Sequence, residues 1–239
     1  MARDPNNIIR AQYDSTKKEL KHIDIIPDFD IEDYDLNNPK EFPKYIKSIE
    51  NIVRHSFEYQ RFVSYLRQFA DMNRCTFFKN VTNEENYKIK IHIHHEPLTL
   101  FDIAIAVYNK RVAFREDLDE YQVAKEITYL HYKLYVGLIP LSETVHELVH
   151  NQYIFVPSNI VLGRYKNFVE SYKAFIEPET LSILSKIEAV SETYNMDAAE
   201  ALLSPHIIAI DTSGAYKSPK KEEIMGFIKA NLDKFNPTM

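Results

Sequence analysis

Histidines concentrated in two short segments are the residues of this chain best suited to metal chemistry. The chain has nine histidines, and five of them lie within segments 88–97 and 137–150. Imidazole nitrogen binds Zn, Ni, Cu and Fe. His146 and His150 are four residues apart, so on a helix they share one face. We therefore expect the two segments to meet around one cation; the alternative is ordinary packed and solvated histidines. The five residues are His92, His94, His95, His146 and His150.

The second segment also contains a short zinc-peptidase pattern. His146-Glu-Leu-Val-His150 matches HExxH, in which two histidines bind zinc and the glutamate is the general base. The pattern fixes only three positions, and Pro157 predicts that the helix ends soon after Asn151. A zinc metallopeptidase with Glu147 as base is therefore kept as an alternative.

Taken together, the two segments resemble the HNH (ββα-metal) endonuclease motif, as found in phage-encoded HNH endonucleases. That motif has a strand ending in His-His, a loop, a second strand, and a helix with further metal ligands. The strand at 88–97 and the strand and helix at 136–151 follow this order. The matching positions of the second half are Leu138, Leu141, His146 and His150.

The resemblance implies a role for each histidine. His94, His146 and His150 would hold one divalent cation (Mg, Mn, Ni or Zn), which would neutralise charge on the phosphate oxygens. His95 would be the catalytic general base, because imidazole accepts a proton near neutral pH. Weak contacts with DNA are expected from five basic side chains: Lys88, Lys90, Arg67, Arg74 and Lys79.

The chain departs from the HNH pattern at three points. Gly137 stands where the family often has Asn, and Ser142 and Val145 stand where zinc-bearing members have Cys. The loop between the strands is expanded into about two helices. Only Cys75 remains of a possible cysteine knuckle, so no structural zinc is predicted, since such a site needs four N or S ligands.

Composition indicates a globular protein outside the membrane. The chain has 239 residues, with 45% hydrophobic residues and four glycines, which suits one large domain or two small ones and disfavours an all-β fold. One cysteine favours a reducing compartment, and neither a signal peptide nor an apolar span is visible. The net charge of −6 is not what is expected of a strong DNA binder, which usually carries a positive net charge.

Hydrophobic periodicity predicts a mainly helical α+β fold. At its centre we expect a ββα-metal (HNH-like) element with a helical insertion between its strands and helices on both sides. Asp119 is a predicted N-cap. The predicted elements are a helix at 43–72, a hairpin at 75–96 with its turn at 80–86, two helices within 98–135, helices at 158–176 and 178–194, a strand at 207–211 and a helix at 220–235.

Three regions are predicted along the chain. Residues 1–42 form an extended acidic arm, 43–157 the HNH-like core with its helical insertion, and 158–239 a helical region packed on that core. Within the arm, Ile23 to Leu36 alternate apolar and acidic residues around Pro27. Such a segment is expected to lie extended over the body, or to dock in a groove of a partner.

The sequence thus predicts a divalent-metal-dependent DNA endonuclease of HNH type, encoded by a phage. Its expected partners are DNA and, through the arm, other phage proteins, with no membrane; its expected location is the host cytoplasm or the virion. The first alternative is a non-catalytic phage virion or assembly protein on a degenerate HNH scaffold, favoured by the acidic arm and the negative charge. The second is the zinc metallopeptidase.

Overall fold

The structure is a computed structural model that describes the larger part of the chain. It describes residues 34–78, 81–83 and 89–194, with short pieces at 12–14, 19–21, 207, 222–223, 226–227 and 230–231. The predicted strand at 207–211, apart from Ile207, and most of the predicted helix at 220–235 lie outside these residues. Among the described residues, no helix combines the length and apolar character needed to cross a membrane.

The prediction of a mainly helical α+β protein is confirmed. Two small antiparallel sheets accompany the helices, one pairing residues 12–14 with 19–21 and one pairing residues 91–95 with 138–142. A 3₁₀ turn is formed by Ser158–Ile160. In chain order the elements are β1 (Gln12–Asp14), β2 (Glu19–Lys21), α1 (Phe42–His55), α2 (Phe57–Phe69), β3 (Ile91–His95), α3 (Leu100–Phe114), α4 (Glu120–Tyr132), β4 (Leu138–Ser142), α5 (Glu143–His150), α6 (Tyr165–Tyr172) and α7 (Pro178–Ser191).

The predicted helix at 43–72 is in fact two helices. The break is at Ser56, whose ψ of 145° is extended and whose Oγ accepts a hydrogen bond from the Tyr59 backbone N–H. Serine caps a helix well because its hydroxyl replaces a missing backbone acceptor. The apolar spacing continues through this break, so periodicity alone does not reveal it.

The predicted hairpin at 75–96 is wrong in its pairing. β3 pairs with β4, in a register that places His94 opposite Ile139 and His95 opposite Leu138. Near the predicted first strand the structure has one isolated bridge, Arg74 to Thr82. All five residues of β4 are buried, so β4 offers β3 a fully apolar partner that lies far along the chain.

Helix starts follow local signals. Asp119 accepts hydrogen bonds from the first turn of α4, which confirms the predicted cap. Thr99 and Asp102 form a capping box at the start of α3. The helix predicted from residue 158 begins only at Tyr165, because Gly163 has φ of +113°, a backbone conformation outside any helix.

The β3–β4 sheet lies between two hydrophobic cores. The larger core collects the inner faces of α1 to α4 and includes Leu138 of β4. The smaller core includes Ile139 and Leu141 of the same strand, with Val145 and Leu148 of α5. Alternate residues of a strand point to opposite faces, so β4 contributes to both cores and fixes α5 beside β3.

Candidate metal centre

Three histidines from β3 and α5 come together at the side of the sheet. One nitrogen of each of His94, His146 and His150 lies within 4.8 Å of the others. His146 Nε2 and His150 Nε2 are 3.1 Å apart. The His94 ring centroid is 5.1 Å from that of His146 and 4.9 Å from that of His150. These are the three residues that the sequence predicted as metal ligands.

Local structure explains this convergence. β4 runs directly into α5, and the Glu143 N–H donates to the Lys90 carbonyl at 3.0 Å, which ties the start of the helix to β3. The buried side chains of Val145 and Leu148 hold α5 against the smaller core. The face that carries His146 and His150 therefore lies along the strand face that carries His94.

Burial favours the neutral form of two of these imidazoles. It lowers the pKa of His146 to about 3, with further lowering from the neighbouring His94 and His150. Burial and His94 also lower the pKa of His150 below its ordinary value. Neutral imidazole is the form that binds a metal ion, so the cluster has a ligand chemistry suited to a nitrogen-preferring divalent cation.

Two further side chains contact the three histidines. Glu96 Oε2 is 3.4 Å from His94 Nε2, where a carboxylate can fix the orientation of a ligating imidazole. The His92 ring stacks on the His146 ring at 5.1 Å. Glu96 is not among the site residues predicted from the sequence. Its position two residues after His94 could have indicated its place in the site, because residues two apart along a strand lie on one face.

His95 faces away from this cluster. It is 3% exposed, its ring stacks on Tyr59, and its Nε2 lies 2.8 Å from His131 Nε2. His131 Nδ1 donates to the Ile127 carbonyl, so neutral His131 accepts at Nε2 and His95 donates. Burial, and then His131, hold the pKa of His95 well below its ordinary value. A base on this face of β3 does not reach a water bound at the other face.

The described basic residues that were predicted to contact DNA are engaged with the protein itself. Arg67 donates to the Ile91 carbonyl at 3.0 Å. Arg74 lies 3.1 Å from Asp71, and Lys90 lies 3.4 Å from Glu143. Lys79 and Lys88 lie outside the described residues. Nothing in this geometry supports DNA binding.

One family of known proteins matches nearly the whole chain. Its description is Bacteriophage G278-like virion protein, and the match covers residues 4–213. The chain belongs to this family. No curated protein and no solved structure gives a match.

Membership of this family corrects the resemblance to HNH endonucleases. The match includes both segments on which the resemblance rested, and it assigns them to a virion protein. Phage origin is supported, the virion fits better than the host cytoplasm, and association with other phage proteins is expected. The general-base role of His95 and the DNA contacts were proposed for an HNH endonuclease, so membership of this family removes the main support for them.

Proposed function

We propose that this virion protein has a structural, non-catalytic role in the phage particle, and that a bound transition-metal ion fastens α5 to β3. The observation that carries the proposal is the convergence of three imidazoles from two elements, with nitrogens within 4.8 Å of one another. A cation shared by His94, His146 and His150 would cross-link the strand and the helix.

The donor set favours one class of metal. Imidazole nitrogen suits Zn²⁺ and Ni²⁺, whereas Mg²⁺ and Mn²⁺ prefer carboxylate and water oxygen. Of the cations that the sequence left open, zinc or nickel is therefore the proposed ligand. The Glu96 carboxylate lies 3.4 Å from His94 Nε2, and a carboxylate in this position would orient the ring toward the cation.

The position of the site suits a structural role. The backbone bond from Glu143 to Lys90 secures the first turn of α5, while His146 and His150 lie in its middle and last turns. A cation there would secure the rest of the helix. A particle that must withstand the extracellular medium gains from such a cross-link, because a ligand that binds only the folded state stabilises it.

Zinc titration of the purified full-length chain tests the site. Competition with a chromophoric chelator should give one equivalent of bound zinc, and X-ray absorption should give three nitrogen ligands at about 2.0–2.1 Å. His146→Ala and His150→Ala should each weaken binding by roughly a hundredfold, since each removes a ligand from a three-ligand site. His55→Ala is the matched control, because His55 is an exposed helical histidine on α1. Equal affinity in all variants would contradict the site.

The structural role is tested separately, in the particle. Mass spectrometry of purified virions should detect the chain, and virions carrying His146→Ala should lose infectivity faster than wild type on warming. A chelator should reduce wild-type survival to the level of the variant. Metal-dependent cleavage of casein that Glu147→Ala abolishes would overturn the non-catalytic role and favour the metallopeptidase, while leaving the metal site itself intact.

A further inference from the structure

Three tyrosines and two cationic side chains meet at the C-terminal end of α4, in what we call the tyrosine patch. Tyr129 and Tyr132 are 57% and 51% exposed. Lys133 and Arg164 are also exposed, and Tyr135 is half-buried. None of the five belongs to the proposed metal site. Tyrosine and arginine are among the residue types that most often anchor a protein interface, so the patch is a candidate docking surface.

The two cations of the patch lie against its aromatic rings. Lys133 Nζ is 4.9 Å from the centre of the Tyr129 ring and 6.0 Å from that of the Tyr135 ring. The guanidinium carbon of Arg164 is 5.7 Å from the centre of the same Tyr135 ring. A cation at this distance is attracted by the negative face of the ring. The patch is therefore one continuous cluster, with both charges gathered around Tyr135.

Hydrogen bonds to the backbone hold the patch in shape. The Tyr132 hydroxyl donates to the Glu58 carbonyl of α2 at 2.9 Å, and the Tyr132 ring packs against Phe62 with centroids 5.4 Å apart. The Arg164 guanidinium donates to the Lys133 carbonyl at 3.1 Å. Side chains that are already held in place lose less conformational freedom when a partner binds. The patch is thus preorganised for binding.

The positive charge of the patch is not neutralised within the described part of the chain. No carboxylate there lies within 4.0 Å of the Lys133 ammonium or the Arg164 guanidinium. By contrast, Lys110 and Arg111 of α3 share the Glu126 carboxylate. The patch is therefore locally positive in a chain whose net charge is −6, and charge complementarity favours a ligand that carries carboxylates.

We propose that the tyrosine patch docks an acidic segment of another protein of the phage particle. This rests on the proposed place of the chain in the particle and not on the metal site. Lys133 and Arg164 would each bind a carboxylate, and Tyr129 and Tyr132 would cover a neighbouring apolar side chain. Residues two apart in an extended segment are about 7 Å apart. Two acids so spaced can reach two cations that both lie within 6.0 Å of the Tyr135 ring centre.

Two other occupants fit the patch less well. A second copy that presented the same patch would bring like charges together, because a closed dimer pairs identical surfaces. Nucleic acid could bind its phosphates to the cations and stack its bases on the tyrosines, but the net charge of −6 repels a polyanion. A short acidic segment carries only a few charges, so this repulsion is much smaller for it.

Photo-crosslinking within the assembled particle tests the partner. The photoreactive residue p-benzoylphenylalanine replaces Tyr129 during phage growth, purified virions are irradiated, and the adducts are mapped by mass spectrometry. We expect adducts with a different virion protein, at a segment in which at least two acidic residues lie close together. The same probe at Phe114, an exposed residue of α3, should give no adduct with that segment.

The other outcomes of this experiment contradict the proposal. Adducts with a second copy of the chain, with DNA or with a segment poor in acids would overturn it, and so would the absence of adducts. A wild-type chain absent from purified virions would overturn its proposed place in the particle as well. A chain that is present in virions and gives the expected adducts, but binds no zinc, would contradict the metal site alone.

Neutralising the two cations tests the recognition. Lys133→Gln combined with Arg164→Gln should lower the adduct yield, or the number of copies in the particle, by roughly fivefold or more, because two attractions are lost. Lys133→Gln alone keeps the bond from Arg164 to the Lys133 carbonyl and should lower the yield by about twofold. Lys133→Arg combined with Arg164→Lys keeps both charges and should retain most of the yield.

The matched control removes the same charge elsewhere. Lys173→Gln combined with Lys186→Gln changes two exposed side chains outside the patch and should leave the yield and copy number unchanged. The unfolding temperature of each purified chain reports whether it is folded. Unchanged yield and copy number in a folded variant that lacks both patch cations would refute the proposal.

Discussion

At the scale of single residues, the neighbours His94 and His95 have opposite environments. His94 faces His146 and His150, where three imidazole nitrogens lie together. His95 is enclosed on the other face of β3 with His131 and Tyr59. A strand turns successive side chains to opposite sides, so one residue can belong to a cation site while the next belongs to the core.

We expect the buried histidine pair to make the protein sensitive to acid. Burial lowers the pKa of His131 from 6.5 to about 4, against the smaller raising effect of its bond to Ile127. The unfolded chain therefore binds a proton that the folded chain refuses between these two pH values. Stability is fully present above pH 6.5 and is lost as the pH falls toward 4. The loss from His131 alone corresponds to about 3 kcal/mol.

Denaturant unfolding at several pH values, with chelator present, measures this loss. His131→Asn should show a flatter dependence of unfolding free energy on pH between 7 and 4 than the wild type. His55→Asn, on the surface of α1, should keep the wild-type slope. A wild-type free energy that is constant over this range would show that the buried pair does not set the acid sensitivity.

At the scale of elements, the approach of β4 to the end of β3 requires a residue without a side chain. A Cβ at Gly137 would collide with the Glu96 carbonyl and lie 2.8 Å from Val161 Cγ1. In addition, the Glu96 N–H donates a hydrogen bond of 3.1 Å to the Gly137 carbonyl. Gly137 therefore has a packing role, and no side chain is missing from this position.

Gly137→Ala should destabilise the chain by about 3 kcal/mol, since backbone must move to accept the methyl group in a packed region. Thermal and denaturant unfolding measure the change. Gly226→Ala is the matched control, because a Cβ there meets no atom of the described residues within 4 Å. A Gly137→Ala variant as stable as wild type would mean that the two strand ends separate easily.

At the scale of the whole molecule, the sheet joins two cores of different content. The larger core is built from four helices held together by aliphatic and aromatic side chains. Ion pairs also join two of these helices, since Lys110 and Arg111 of α3 both bind the Glu126 carboxylate of α4, at 2.9 and 2.8 Å. The smaller core depends on α5 and the sheet, where the proposed cation would act.

Zinc should therefore protect one part of the molecule more than the other. Hydrogen exchange with and without zinc should show slower exchange in β3, β4 and α5, and unchanged exchange in α1 and α4. At a hundredfold excess over its Kd, zinc should add about 2.7 kcal/mol and raise the unfolding temperature by about 5 °C or more. Uniform protection across both cores, or none, would contradict a local cross-link.

The sequence by itself determined the features that depend on neighbours along the chain. Apolar spacing placed α3, α4 and α7, and Asp119 marked the start of α4. The four-residue spacing of His146 and His150 put both on one face of a helix. These signals are local, because a helix satisfies its backbone within the segment and its caps act over a few residues.

The sequence predicted that segments 88–97 and 137–150 meet, and the tertiary structure decided how they pair. β3 pairs antiparallel with the buried strand β4, His95 packs toward the larger core, and Glu96 lies beside His94. The close approach at Gly137 also follows from this pairing. Strand partners are chosen by packing between distant segments, and a shift of one residue exchanges the two faces of a strand. The spacing of residues along one chain carries little of that information.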